Sequence, residues 1–124
     1  MNLIDTWLRR AWRPDDTALK ALSGARPAIV VTGGSDGIGR AIASEFSSPD
    51  HTTILVARDG ERLAKAAADI SSTTGAPCLT LALDVRHSDA PDRIRTFLAD
   101  HDLYADILVN SAGVGTTGEF HHND

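Results

Sequence analysis

The chain has 124 residues, a length typical of one small domain, and its 42% hydrophobic and 23% charged residues are ordinary for a globular protein. Its net charge of -5 argues against a nucleic-acid partner, because proteins that bind nucleic acids usually carry a basic face. No apolar run approaches the roughly 18 residues of a membrane span, and the single cysteine excludes an internal disulfide, so we expect a cytoplasmic protein.

The first segment, "LIDTWLRRAW" (3–12), has apolar residues at helical spacing and charged residues elsewhere. An amphipathic segment of this kind can lie on an anionic membrane surface, dock on a partner subunit or pack against its own domain. We expect the last, and we assign residues 1–27 to an N-terminal amphipathic extension.

Short apolar runs then alternate with helix-length segments. "AIVV" (28–31) predicts a strand that is buried on both faces. The helix predicted at 38–46 has one apolar face, formed by Ile38, Ala41, Ile42 and Phe46. A strand at 53–57 follows, and then a helix at 59–72 with Asp59 as its N-cap and an apolar face of Leu63, Ala66, Ala67 and Ile70.

The second half of the chain repeats the alternation. It predicts a strand at 78–83, a helix at 88–100 and a strand at 106–110. Ser88 is the candidate N-cap of this helix, whose inward residues are Ile94, Phe97 and Leu98.

Four strands joined by three crossover helices predict an α/β protein with a parallel sheet and right-handed connections. The expected architecture is the first half of a Rossmann-like, doubly wound fold with strand order 3-2-1-4. We assign residues 28–118 to this nucleotide-binding half-domain and 119–124 to a truncated or flexible tail. Ligands of such sheets bind at the carboxyl ends of the strands, where the order reverses between strands 1 and 4.

The loop "VVTGGSDGIGRAIA" (30–43) joins the first strand to the first helix at that end of the sheet. Gly33 allows a sharp turn, Gly37 allows a ligand to approach the backbone, and Gly39 allows the helix to pack closely on the strand. The free N–H groups of the helix would favour a phosphate. The alternative is a glycine-rich turn without a ligand, which the surrounding strand–helix pattern disfavours.

Three elements in this order resemble the short-chain dehydrogenase/reductase family. They are the Thr-Gly-x-x-x-Gly-x-Gly run at 32–39, "LALDV" (81–85), and "ILVNSAG" (107–113), which is similar to the family's Asn-Asn-Ala-Gly element. Ser111 departs from the family, which usually has asparagine at that position.

The resemblance implies a cofactor role for each matched residue. The glycine loop would line the pyrophosphate and ribose, Asp84 and Val85 would flank the adenine, and Asn110 would brace the sheet near the ribose. Considered singly, Asp84 would be a solvated acid and Asn110 a turn residue. The implied cofactor-binding set is Thr32, Gly33, Ser35, Asp36, Gly37, Ile38, Gly39, Arg58, Asp84, Val85, Asn110, Ala112 and Gly113.

Arg58 indicates the choice of dinucleotide. It follows the second strand, where an acid would bind the ribose 2′-hydroxyl of NAD and an arginine can face the 2′-phosphate of NADP. Other NADP-preferring members of the family have a basic residue just before the second glycine, where this chain has Asp36. The alternative for Arg58 is a surface arginine near Asp59. We expect NADP rather than NAD.

The family's catalytic serine, and its tyrosine with a lysine four residues later, cannot be assigned here. The single tyrosine is Tyr104, which Leu108 follows at that spacing, and the lysines are Lys20 and Lys65. The histidines of "HHND" (121–124) have no metal-ligand spacing around them, and we expect no metal site.

These observations favour the cofactor-binding part of an NADP-dependent oxidoreductase that interconverts carbonyls and alcohols. A carbonyl or alcohol substrate would require completion by a C-terminal half. Methyl transfer from S-adenosylmethionine and a non-catalytic nucleotide-binding or interaction module are the alternatives. We also expect a homo-oligomer, because the last strand is apolar and would present an open edge.

Overall fold

The computed structural model describes residues 24–113, which alternate between strand and helix throughout. The strands are β1 (Arg26–Thr32), β2 (Thr52–Ala57), β3 (Cys78–Ala82) and β4 (Leu103–Asn110). The helices between them are α1 (Gly37–Phe46), α2 (Gly60–Thr74) and α3 (Ala90–Asp100). Every strand and helix predicted between residues 28 and 110 is present, and the predicted ends lie within three residues of the observed ones.

All four strands are parallel and lie in the order β3-β2-β1-β4, which confirms the predicted topology. Thr32, at the end of β1, is in register with Val56 of β2 and with Asn110 of β4. The carboxyl ends of three strands therefore meet at one edge of the sheet. The extra residue Asp106 shifts the register of β4 against β1 after Ala28.

The central strands β1 and β2 are buried on both faces, because their residues alternate between two apolar clusters. Ile29 and Val31 pack in a cluster with α1 and α2, whereas Ala28 and Val30 pack in a cluster with α3. Each of these four residues is at most 1% exposed. Helices on both faces of a parallel sheet make a doubly wound α/β arrangement.

Two predicted helix starts have different outcomes. The Asp59 cap is confirmed, since its Oδ1 accepts hydrogen bonds from the N–H groups of Glu61 and Arg62 at 3.1 Å. The Ser88 cap was wrong, because α3 begins at Ala90 with Asp89 in the N-cap position and no side-chain cap bond. Pro91 in the first turn explains this start, because its fixed φ and missing N–H favour that position.

The apolar face predicted for α1 is not the face that packs on the sheet. Ile38 is 76% exposed and Phe46 is 55% exposed, whereas Gly39 and Ala43 are buried. Small residues face the sheet because they let the helix axis approach the strands closely, and the larger apolar side chains then point away.

Some predicted features lie outside residues 24–113, namely the amphipathic segment 3–12, the tail 119–124 and the adjacent histidines at 121–122. Among the helices of the described region, none has the length and apolar character needed to cross a bilayer. The same region contains no group of three or more His, Cys, Asp or Glu side chains that could hold a metal ion.

Candidate functional site

A cleft of about 490 Å³ opens at the carboxyl ends of the four strands. Residues that follow each strand contribute to its walls, which agrees with the position expected for a ligand in a parallel sheet. The lining residues are Gly33, Ser35, Asp36, Val56, Ala57, Arg58, Asp59, Arg62, Leu83, Asp84, Val85, Arg86, Ser111, Ala112 and Gly113.

The glycine loop forms one wall and requires two glycines for different reasons. Gly33 has a φ of 71°, a left-handed conformation, and an added Cβ would lie 2.9 Å from the Ala112 nitrogen. A Cβ on Gly39 would collide with the Gly33 carbonyl oxygen and lie 2.8 Å from Ser111 Oγ. The start of α1 therefore packs directly against the loop and against the end of β4.

Asp36 is the N-cap residue of α1 and lies in the wall of the cleft. Its Oδ1 accepts a hydrogen bond from the Gly37 N–H at 2.8 Å. The next N–H groups of the first turn, those of Ile38 and Gly39, have no partner within an α-helix. The positive end of the α1 dipole thus lies beside the Asp36 carboxylate, which is part of the cleft wall.

Thr32 and Asn110 join the ends of β1 and β4 beneath the cleft. The Thr32 hydroxyl donates to Asn110 Oδ1 at 2.7 Å, and the Ala112 N–H approaches the same hydroxyl at 3.4 Å. The Ser111 N–H also donates to the Thr32 carbonyl oxygen at 3.2 Å. These bonds fix residues 111–113 against the glycine loop.

Two arginines after β2 stand on the opposite wall. Arg58 is exposed and, within residues 24–113, has no carboxylate partner. Arg62, in the first turn of α2, reaches Asp36 and Asp59 at 3.5 and 3.6 Å. This wall can therefore meet an anionic ligand with two guanidinium groups.

Asp84 and Arg86 form a close ion pair just after β3. Arg86 Nε lies 3.0 Å from Asp84 Oδ1, and Arg86 Nη2 lies 2.7 Å from Oδ2. The Arg86 backbone N–H also donates to Oδ1 at 3.0 Å. These bonds hold the pKa of the Asp84 carboxyl well below its usual range and raise the pKa of Arg86.

The structure brings eight of the residues predicted for the site to the cleft: Gly33, Ser35, Asp36, Arg58, Asp84, Val85, Ala112 and Gly113. The others lie outside its lining, with Thr32 and Asn110 bonded to each other and Gly37, Ile38 and Gly39 in the first turn of α1. Tyr104 lies near the start of β4, in register with Pro27 at the far end of β1 from the cleft.

Sequence reasoning missed Arg62 and Arg86 as residues of the cleft. A signal for Arg62 was present, because it follows Asp59 by three residues and Arg58 by four, a spacing that places side chains on one side of a helix start. Arg86 follows Asp84 by two residues in a turn, and no periodicity predicted that its side chain would fold back on that carboxylate.

Known proteins share both the sequence and the geometry of this region. The sequence model described as "short chain dehydrogenase" matches residues 27–124. The 17-beta-hydroxysteroid dehydrogenase type 3 of Danio rerio is 38% identical over 85 residues, which are 68% of this chain and 27% of that enzyme. The NADPH-dependent pterin aldehyde reductase of Arabidopsis thaliana is 33% identical over 100 residues, 81% of this chain and 40% of that enzyme.

A solved structure agrees with these relatives. L-sorbose reductase from Gluconobacter frateurii, crystallised with NADPH and L-sorbose, superimposes with a TM-score of 0.69 at 34% identity. The superposition covers 82% of this chain and 39% of the reductase. The chain thus spans between about a quarter and two fifths of the length of these three proteins.

The family match covers residues 27–124. This range includes the glycine loop, the four parallel strands in the order 3-2-1-4 and the cleft at the strand ends. Sequence and tertiary structure lead to one conclusion: the chain belongs to the short chain dehydrogenase family.

Proposed function

We propose that this chain is the cofactor-binding portion of an NADP-dependent oxidoreductase that interconverts a carbonyl and an alcohol. NADPH would supply the hydride for reduction of the carbonyl, and NADP+ would accept it in oxidation of the alcohol. The observation that carries the proposal is Arg58, an exposed guanidinium on the rim of the cleft directly after β2. In the dinucleotide-binding folds an acid at this position favours the 2′-hydroxyl of NAD, and an arginine nearby accommodates the 2′-phosphate of NADP.

The groups around the cleft fit a dinucleotide. The first turn of α1 offers N–H donors to a pyrophosphate. Asp84 lies in the cleft wall just after β3, and an adenine amino group bound there would share its carboxylate oxygens with Arg86, which makes four hydrogen bonds to them. The two guanidinium groups of Arg58 and Arg62 provide the positive charge that a phosphate on the ribose needs.

The relatives support the same dinucleotide. The pterin aldehyde reductase is NADPH-dependent by name, and the L-sorbose reductase was crystallised with NADPH. In both, the matched region includes the glycine loop, since 81% and 82% of this chain are covered. We extend this preference to the present chain because Arg58 provides a physical reason for it.

We further propose that the acid/base chemistry requires residues outside this sequence. The resemblance calls for a tyrosine with a lysine four residues later, and Tyr104 is followed by Leu108 at that spacing. Tyr104 also lies in register with Pro27, away from the cleft. The chain by itself would then be a nucleotide-binding module, which was the alternative function.

Calorimetric titration of the chain with NADPH, NADH and S-adenosylmethionine tests the proposed cofactor. We expect NADPH to bind about tenfold or more tightly than NADH, the scale of one charge-assisted contact. Equal affinity for the two dinucleotides would refute the NADP assignment. Tighter binding of S-adenosylmethionine would favour methyl transfer instead.

A turnover assay tests the catalytic part. With NADPH and a panel of aldehydes and ketones we expect no oxidation of the cofactor by the chain alone. Turnover by the purified chain would contradict the proposal, because the acid/base group would then have to come from residues that we consider structural.

A further inference from the structure

Arg62 lies between two carboxylates at the mouth of the cleft. Its Nη1 is 3.5 Å from Asp36 Oδ2, and its Nε is 3.6 Å from Asp59 Oδ2. The Arg62 and Asp36 side chains are 67% and 77% exposed. Long, solvated ion pairs of this kind contribute little to stability, so Arg62 can exchange one anionic partner for another at small cost.

The two carboxylates are held in place by other bonds. Asp36 Oδ1 accepts from the Gly37 N–H at the start of α1, which leaves Oδ2 turned toward Arg62. Asp59 Oδ1 accepts from the N–H groups of Glu61 and Arg62 at the start of α2. Arg62 therefore spans from the start of α2 to the glycine loop, and all three side chains line the cleft.

The position of Asp36 creates an electrostatic problem for a phosphorylated ribose. An NADP 2′-phosphate carries up to two negative charges, and an unpaired carboxylate in the same cleft would repel it. Arg58 alone would offset only part of this charge, because one guanidinium carries a single positive charge and Asp59 also lines the cleft. Arg62 supplies the second positive charge, at the point where it also neutralises Asp36.

We propose that Arg62 is a second determinant of dinucleotide specificity, and that its guanidinium is shared between Asp36 and the 2′-phosphate. In the absence of cofactor Arg62 pairs with Asp36, and in the complex Arg62 and Arg58 together hold the phosphate. Asp36 then sets the affinity by competing for the same guanidinium. This inference rests on the proposed NADP-dependent function and assigns the residue that offsets the unfavourable acid in the glycine loop.

The test compares ligands that differ only by the 2′-phosphate, namely 2′,5′-ADP and 5′-AMP, and likewise NADPH and NADH. Each is titrated by calorimetry into the wild-type chain and into Arg62→Ala, Arg62→Lys and Asp36→Asn. Arg95→Ala and Asp92→Asn are matched controls, because that exposed pair lies on α3 with Arg95 Nη1 3.0 Å from Asp92 Oδ1.

We expect Arg62→Ala to lower the affinity for 2′,5′-ADP by about tenfold or more, which is the scale of a charge-assisted contact. The affinity for 5′-AMP should change by less than about twofold. Arg62→Lys should retain part of the affinity, because a lysine keeps the charge without the forked geometry. Asp36→Asn should raise the affinity for 2′,5′-ADP several-fold. An asparagine retains the cap acceptor but does not compete as an anion for the Arg62 guanidinium. The controls should match the wild type.

Equal losses for 2′,5′-ADP and 5′-AMP in Arg62→Ala, or no loss for either, would overturn the inference. Weaker 2′,5′-ADP binding by Asp36→Asn would overturn the competition. The proposed function is read separately from the wild-type chain. If that chain does not prefer NADPH to NADH, the proposed function fails whatever the variants do; a wild-type preference that survives in Arg62→Ala defeats only the role of Arg62.

Discussion

The Thr32 hydroxyl donates a hydrogen bond to Asn110 Oδ1 at 2.7 Å, between residues 78 positions apart in the chain. Thr32 is 6% exposed at the end of β1, and the two residues are also in register across the sheet. The bond therefore fastens the strand that leads into the glycine loop to the strand that leads into residues 111–113. Both segments line the cleft.

We expect Thr32→Val to lower the free energy of unfolding by about 1 kcal/mol, because valine keeps the shape of the side chain and removes the hydroxyl donor. Urea denaturation measures the change. Thr73→Val is the control, since its hydroxyl bonds only to the Asp69 carbonyl within an exposed turn of α2, and a shift within about 0.5 kcal/mol is expected. Equal shifts for the two variants would show that the Thr32–Asn110 bond contributes nothing.

Gly39→Ala should be strongly destabilising, because its Cβ would meet the Gly33 carbonyl oxygen and Ser111 Oγ. Overpacking against backbone that cannot move away costs about 1–3 kcal/mol, and the same displacement should weaken nucleotide binding. The matched variant is Gly60→Ala, whose Cβ would meet only Ala82 Cβ at 3.8 Å. In the first turn of α2 that change should leave stability unaltered or raise it by up to about 1 kcal/mol. Thermal denaturation measures the stability of both variants. If Gly39→Ala is as stable as Gly60→Ala, close packing does not require a glycine at position 39.

Arg58→Asp should weaken NADPH binding by roughly 1.5–3 kcal/mol, because it replaces a charge-assisted contact by repulsion. NADH should be affected much less or bind more tightly, since its ribose hydroxyl can donate to the new carboxylate. Calorimetric titration of both dinucleotides measures the difference, and Arg95→Asp on α3 serves as the control for an added surface charge change. The same loss for NADPH and NADH would make Arg58 a structural residue.

Leu108→Lys should reduce self-association of the chain. Leu108 is 65% exposed on β4, which is the edge strand of the sheet within residues 24–113. An apolar side chain on an unpaired strand favours edge pairing with a second copy, whereas a lysine on such a strand opposes it. Sedimentation velocity should therefore show a shift toward monomer. Ala99→Lys, on an exposed position of α3, adds the same charge and should leave the distribution unchanged.

The Cys78 thiol should react slowly at neutral pH. It lies at the start of β3, packed against the cluster that α1 and α2 cover, and this burial raises the pKa of the Cys78 thiol to about 11. At pH 8 the thiolate fraction is then on the order of one thousandth, against about a quarter for a free cysteine of pKa near 8.5. Modification by a disulfide reagent should thus be roughly 250-fold slower than in denaturant, and should accelerate about tenfold per pH unit between 8 and 10. Because Cys78 is the single cysteine, the measured rate of thiol modification belongs to it alone. Similar modification rates in the native and the denatured chain would contradict the burial of this thiol.

The sequence by itself determined the number, type and order of the elements from β1 to β4. Runs such as "AIVV" and "TILVA" have no polar face, so they predict strands covered on both sides, and the helix-length segments between them require parallel pairing. It also determined the Asp59 cap, because a cap depends on contacts within three residues. The position of the cleft followed from the topology alone.

Only the tertiary structure decided how individual side chains pack and pair. The apolar stripe of α1 did not predict its buried face, because the absence of a Cβ at Gly39 sets the distance between helix and sheet. The Ser88 cap failed because Pro91 fixes the start of α3. Arg62 reaches Asp36 across 26 positions of the chain, and Thr32 reaches Asn110 across 78. Such contacts depend on where the fold brings distant backbone together, which local periodicity does not encode.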